Sequence, residues 1–255
     1  ACKMLCHYRC TLVACLMMLI LELHCGATNE SGGEDARMVV MLEWAVPFNE
    51  SAADRYRALT LPLRQPTQSE PGCLHFDIYE DVDTTTNLPR IWQYLVFKDR
   101  DAHKTHMASS LVKKWLIDVE GLIQQSNLMP MTMAVRDETP IACLKQQPTS
   151  ILVVLVKMYT QDASQQKTLK EASAALLEPT RAEEGCLYYD QLIPTSEDNA
   201  SFVQEVLWFK DADAHRKHME SPAVKNFMSL FNPAPMFDVA MPASYTTLPL
   251  CSTAA

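Results

Sequence analysis

"FKDRDAHKTHM" occupies residues 97–107 and "FKDADAHRKHM" occupies residues 209–219. Two stretches this alike in one chain mark an internal duplication, and the repeat governs every later reading. A shift of 112 residues superposes them and also sets "MASSLVKKWL" on "MESPAVKNFM". A shift of 113 sets "PTQSEPGCL" (66–74) on "PTRAEEGCL" (179–187), so one residue was gained or lost between the two motifs. The period is too long for a solenoid, and the chain reads as two copies of a unit of about 95 residues.

Each copy carries one order of elements. In copy two, "ILVVLVKMY" (151–159) is apolar and β-branched, the pattern of a buried strand. Leu169, Ala172 and Leu176 recur at helical spacing, predicting a helix that ends before Pro179. "GCLYYDQLI" and "SFVQEVLWF" read as strands. A helix then starts at Asp211, its expected N-cap, with Val224, Phe227, Met228 and Phe231 as an apolar stripe. "MFDVAM" (236–241) closes the copy as a strand. Copy one repeats the series at Met38–Val46, Ala52–Leu63, Cys73–Tyr79, Ile91–Phe97, Asp99–Leu122 and Met129–Val135. The order βαββαβ is the ferredoxin-like unit, an α+β fold. Its sheet has helices on one face only, so two tandem units can bury their bare faces sheet to sheet.

The flanks differ in kind. Thr11–Leu21 is an apolar run after His7 and Arg9, and Cys25-Gly26-Ala27 offers small residues ahead of a polar stretch. That is the layout of a signal peptide, implying secretion or the secretory lumen and no stable membrane partner after cleavage; an anchor over residues 11–21 is the other reading. The expected division is a leader at 1–27, a polar linker at 28–37, copy one at 38–136, a linker at 137–149 holding Pro140 and Pro148, copy two at 150–246, and a tail at 247–255. Five of nine cysteines lie in the leader. Cys73 and Cys186 sit in strand-like runs and read as buried thiols, while Cys143 and Cys251 could bridge. Asn29, Asn49 and Asn199 open glycosylation sequons. A net charge of −9 argues against nucleic acid as a partner.

"EPTRAEEGCLYY" followed by "WFKDADAHRKHMESPAVKNF" resembles the antibiotic biosynthesis monooxygenase domain, the quinol-monooxygenase-like branch of the dimeric α/β-barrel superfamily. Copy two matches over nearly its whole length and copy one more loosely. The resemblance implies an intramolecular dimeric α/β barrel and a monomeric chain. It also implies cofactor-independent oxidation of a quinol, phenolic or polyketide-like small molecule by O₂, with no metal. The family's helix histidine falls on His218, and on His106 in copy one; an imidazole suits proton removal from a phenol. Its strand tyrosine falls on Tyr189, where copy one has Phe76. Its acid-x-aromatic falls on Leu207 and Phe209, and on Leu95 and Phe97, so the acid is missing from both copies. Glu205, two residues earlier on the same strand face, is the expected substitute; copy one has Gln93 there.

These residues leave other readings open. A non-catalytic ligand-binding or structural barrel fits the lost acid and the plainer first copy. Haem-degrading relatives carry a histidine where this chain has Met228 and Leu116, which speaks against haem. His103/His106 and His215/His218 each put two rings on one helix face, but no third ligand recurs as zinc requires. His215 is expected to be exposed.

Overall fold

The computed structural model describes residues 38–45, 50–82, 89–120, 122, 129–134, 151–160, 162–194, 202–231, 236–241 and 243–244. The leader, the three sequon asparagines, Cys143, Cys251 and the linker at 137–149 lie outside these residues. Copy one comprises β1 (Met38–Ala45), α1 (Glu50–Thr60), a 3₁₀ turn (Leu61–Leu63), α2 (Arg64–Gln68), β2 (Cys73–Val82), β3 (Pro89–Phe97), α3 (Arg100–Ala108), α4 (Ser110–Val119) and β4 (Met129–Ala134). Copy two comprises β5 (Leu152–Tyr159), α5 (Ala163–Arg181), β6 (Cys186–Pro194), β7 (Phe202–Phe209), α6 (Ala212–Glu220), α7 (Pro222–Ser229), β8 (Met236–Ala240) and the short β9 (Ala243–Ser244).

Both copies form the expected antiparallel sheet, ordered β4-β1-β3-β2 and β8-β5-β7-β6. The sheets join edge to edge where Met133 and Ala134 of β4 pair with Pro194 and Ile193 of β6. β9 pairs with the outer edge of β2 through Tyr79↔Ser244 and Glu80↔Ala243. "MFDVAM", expected as one strand, thus leads from β8 on copy two's sheet to β9 on copy one's. Among the described residues the nine-stranded ladder runs from β8 to β9 without closing into a hydrogen-bonded barrel. Its terminal strands are neighbours in the chain, and each copy lends the other a strand end.

Alternation along the strands sorts side chains into three cores. Between the sheets lie Val39, Met41, Tyr79, Trp92, Tyr94 and Val96 of copy one against Val153, Leu155, Tyr188, Leu192, Phe202, Val206 and Trp208 of copy two. Residues one step along each strand face the helices: Phe76, Leu95 and Phe97 with Tyr56 and Trp115 in copy one, and Tyr189, Leu207 and Phe209 with Leu169 and Phe227 in copy two. Fully burying one such large side chain contributes roughly 1.5–3 kcal/mol. This alternation places Trp208 and Phe209 in different cores.

Three helix expectations need correction. α5 does not stop before Pro179 but continues to Arg181. Proline in the last turn costs a single i→i−4 bond, and the Arg181 guanidinium anchors that turn by donating to the Tyr189 carbonyl at 3.0 and 3.1 Å. In copy one the first helix does not end at Leu63; it breaks into a 3₁₀ turn at Pro62 and resumes as α2. The helix expected over 99–122 is two helices hinged at Ser109, whose ψ of 150° is extended and whose hydroxyl accepts from the Val112 amide at 3.2 Å. Ser221 repeats this in copy two with Pro222 at the first helical turn. The Asp99 and Asp211 caps are as expected, accepting from Ala102 and Ala214 at 2.7 and 2.8 Å.

Candidate functional site

The opening motif forms the corner between the third element of each sheet and the helix behind it. Phe97 ends β3 beneath α3, with its ring 5.3 Å from His103 and 5.1 Å from His106. Phe209 sits likewise, 5.4 Å from His215 and 5.1 Å from His218. His215 is half-buried rather than exposed, because the i, i+3 spacing turns it with His218 toward the same phenylalanine.

Each second histidine has a carboxylate partner that its own stretch does not reveal. His106 Nδ1 lies 2.7 Å from Glu70, and His218 Nδ1 lies 2.9 Å from Glu183. Both glutamates occupy the turn before β2 or β6, in the repeated "E-x-G-C". Gly72 and Gly185 follow at φ +86° and +96°, and their carbonyls accept from Lys98 and Lys210 at 2.8 Å. A carboxylate accepting from Nδ1–H orients the imidazole and favours the tautomer with its lone pair on Nε2. Burial lowers the His106 pKa, against the opposing pull of Glu70. Cys73 and Cys186 are half-buried rather than fully buried, and burial pushes their thiols up to about 12 and about 11. They are poor nucleophiles.

Further along the same sheet–helix face the copies part company. In copy two the Tyr189 hydroxyl donates to Glu205 at 2.7 Å. Glu205 is 6% exposed and Tyr189 1%. Burial raises the Glu205 carboxyl to about 7, although the Tyr189 and Ser173 hydroxyls pull it down. Burial and the adjacent Glu205 hold the Tyr189 phenol well above its usual range. In copy one, Gln93 donates instead to Tyr56 of α1 at 2.9 Å, and Trp115 donates to Thr60 at 3.0 Å. That network is neutral and satisfied. Phe76 packs beside it with no polar group to offer.

The expected residues therefore fall into two groups in copy two. Tyr189 and Glu205 form one, and His218 and Phe209 the other. Glu205 and Phe209 lie four positions apart on β7, roughly 13 Å of strand. The motif reading missed Glu70, Glu183, Tyr56 and Ser173. The glutamates carried a signal, since the 113-residue shift superposes them.

The fold is shared with solved structures. A candidate monooxygenase from Fusobacterium nucleatum matches at TM-score 0.65 and 16% identity, over 83% of this chain and 93% of its own. Another from Lactobacillus acidophilus matches at TM-score 0.63 and 15% identity, over 83% and 95%. An anthrone oxidase-like protein matches at TM-score 0.52 and 14% identity, over 87% and 98%. No curated protein matches the chain. The sequence profile of antibiotic biosynthesis monooxygenases matches twice, at residues 35–116 and 152–230. These two segments lie on the two structural copies and together span more than half of the chain, which therefore belongs to the antibiotic biosynthesis monooxygenase family.

Proposed function

We propose that copy two carries an active site that oxidises a quinol or related phenol with O₂ and no bound cofactor. The observation behind this reading is the buried Tyr189–Glu205 pair on the helix-facing side of the sheet. A carboxylate with a pKa of about 7 suits proton removal from a weakly acidic hydroxyl near neutral pH. The quinol anion can then reduce O₂. The substrate supplies all four electrons, two in passing from quinol to quinone and two in C–H hydroxylation. One oxygen atom enters the ring and the other leaves as water. The apolar surroundings, including Val154, Leu169, Leu207 and Phe227, would exclude water from the anion.

His218, the base implied by family resemblance, competes for the same role. The His–Glu arrangement recurs in both copies with nearly identical geometry, whereas the Tyr–Glu pair belongs to copy two alone. A feature preserved in both halves fits the shared scaffold, and the feature that differs fits the chemistry. Oxygen uptake with a panel of quinols tests this. Glu205→Gln is expected to lose about 10²- to 10⁴-fold in turnover, while Gln93→Leu in copy one keeps it. Full activity in Glu205→Gln with loss in His218→Ala would move the base to His218. Saturable quinol binding without oxygen uptake in the wild type would favour a non-catalytic binding protein.

A further inference from the structure

The shifts that superpose the two motifs also superpose the surroundings of Glu205 on those of Gln93. A shift of 112 sets Gln93 of β3 on Glu205 of β7, and Trp115 of α4 on Phe227 of α7. A shift of 113 sets Tyr56 of α1 on Leu169 of α5, Thr60 on Ser173, and Phe76 on Tyr189. All of these side chains are buried, and the apolar ones fall in the sheet–helix core of their own copy. The two halves therefore differ at matched places.

In copy one a phenol of the chain itself stands on the helix side of Gln93. Gln93 donates to the Tyr56 hydroxyl at 2.9 Å, and Trp115 stands edge-on to that ring at 6.2 Å while donating to Thr60 at 3.0 Å. In copy two the helix-borne phenol is gone. Leu169 and Phe227 bring no hydroxyl or N–H toward Glu205, and Ser173 keeps the hydroxyl of Thr60. The phenol that does reach Glu205, Tyr189, comes from the neighbouring strand β6 and not from the helix. Leucine is shorter than tyrosine and phenylalanine smaller than tryptophan. Phe231, in the place of Val119, packs on Phe227 at 5.2 Å and returns part of that volume.

We propose, on the reading of Glu205 as the reactive acid, that the phenol missing from copy two is the substrate's. Its hydroxyl comes to Glu205 from the α5 side over Leu169, as Tyr56 comes to Gln93, and its ring lies against Phe227. Tyr56 keeps copy one closed, so the chain carries one substrate position. The phenol that Tyr56 supplies is monocyclic, and the substrate class that takes its place is a one-ring phenol or hydroquinone. Leu169 and Phe227 are then the residues that set specificity.

Anaerobic calorimetric titration of the full chain with hydroquinone tests this, since without O₂ the ligand is not consumed. Wild type is expected to take up one molecule per chain. Leu169→Tyr, which gives copy two the phenol of copy one, should weaken that binding roughly 10- to 100-fold and raise KM for oxygen uptake in step. Binding by Leu169→Tyr as tight as wild type overturns the proposal, and so does a wild-type stoichiometry of two. A wild-type crystal soaked anaerobically with hydroquinone needs no variant to fold. It should show a ligand hydroxyl within hydrogen-bond distance of the Glu205 carboxyl and the ring between Leu169 and Phe227. Ligand at His218, in copy one, or nowhere also overturns the proposal. The base assignment fails separately: full oxygen uptake in Glu205→Gln would remove Glu205 as base, while the titration and the soak still judge the position.

Discussion

Glu205 is costly to fold around, and the proposed reaction needs it charged. Its carboxyl titrates near 7 in the folded state, above the ordinary carboxylate value of 4.5. The folded state therefore holds its proton more tightly, and stability falls as pH rises from 4.5 through 7. Glu205→Gln should raise the melting temperature at pH 8 relative to wild type and leave it little changed at pH 4. The rate should run the opposite way. In the proposed reaction the base is ionised Glu205, so kcat/KM should climb through pH 7, and Gln should abolish that inflection. His75 makes a separate prediction. Burial, aided by the Arg64 charge, lowers its pKa from 6.5 to about 3. The unfolded chain binds the extra proton first, so stability is lost as pH falls from 6.5 toward 3. Urea melts of His75→Phe should show a weaker acid dependence over that window than wild type.

The strand-to-helix corner is the element that both copies preserve most closely. Gly185 adopts φ +96°, and a Cβ there would lie 2.7 Å from the Ala214 Cβ on α6. Gly185→Ala should therefore destabilise by about 2 kcal/mol or more, from backbone strain and the clash together. Gly72→Ala should do the same against Ala102, 2.6 Å away. Removing the Asp211 cap should cost about 1 kcal/mol in a denaturant melt. The corner was legible as a motif because its parts are local: an aspartate, a turn and two histidines within eleven residues. Its long-range half was not. Glu183 reaches His218 across 35 residues of chain, and nothing in either stretch names the other. Pro179 misled for a similar reason. Its local cost is fixed, but whether a helix tolerates it depends on what anchors the last turn, here Arg181 on the Tyr189 carbonyl.

At the scale of the molecule, the duplication supplies in one chain the two faces that each sheet needs. Light scattering should find a monomer. Obligate dimers that pair like copies of different chains would contradict this. The Tyr94–Tyr188 hydrogen bond crosses between copies, so a double-mutant cycle with phenylalanine at both positions should show a coupling of about 1 kcal/mol. By itself the sequence determined the repeat, the order βαββαβ, the caps and the face on which each strand residue lies, because periodicity and capping are properties of neighbours. It also named Tyr189 through the family resemblance and Glu205 as the substitute acid on the strand face of Leu207. Only the tertiary structure decided that Tyr189 donates to Glu205, that Gln93 finds Tyr56 instead, and that His75 meets Trp208 between the sheets. Those pairings depend on register, and on which strand comes to lie beside which. Burial set by the whole fold, not by any local pattern, brings a carboxyl in one copy to neutrality.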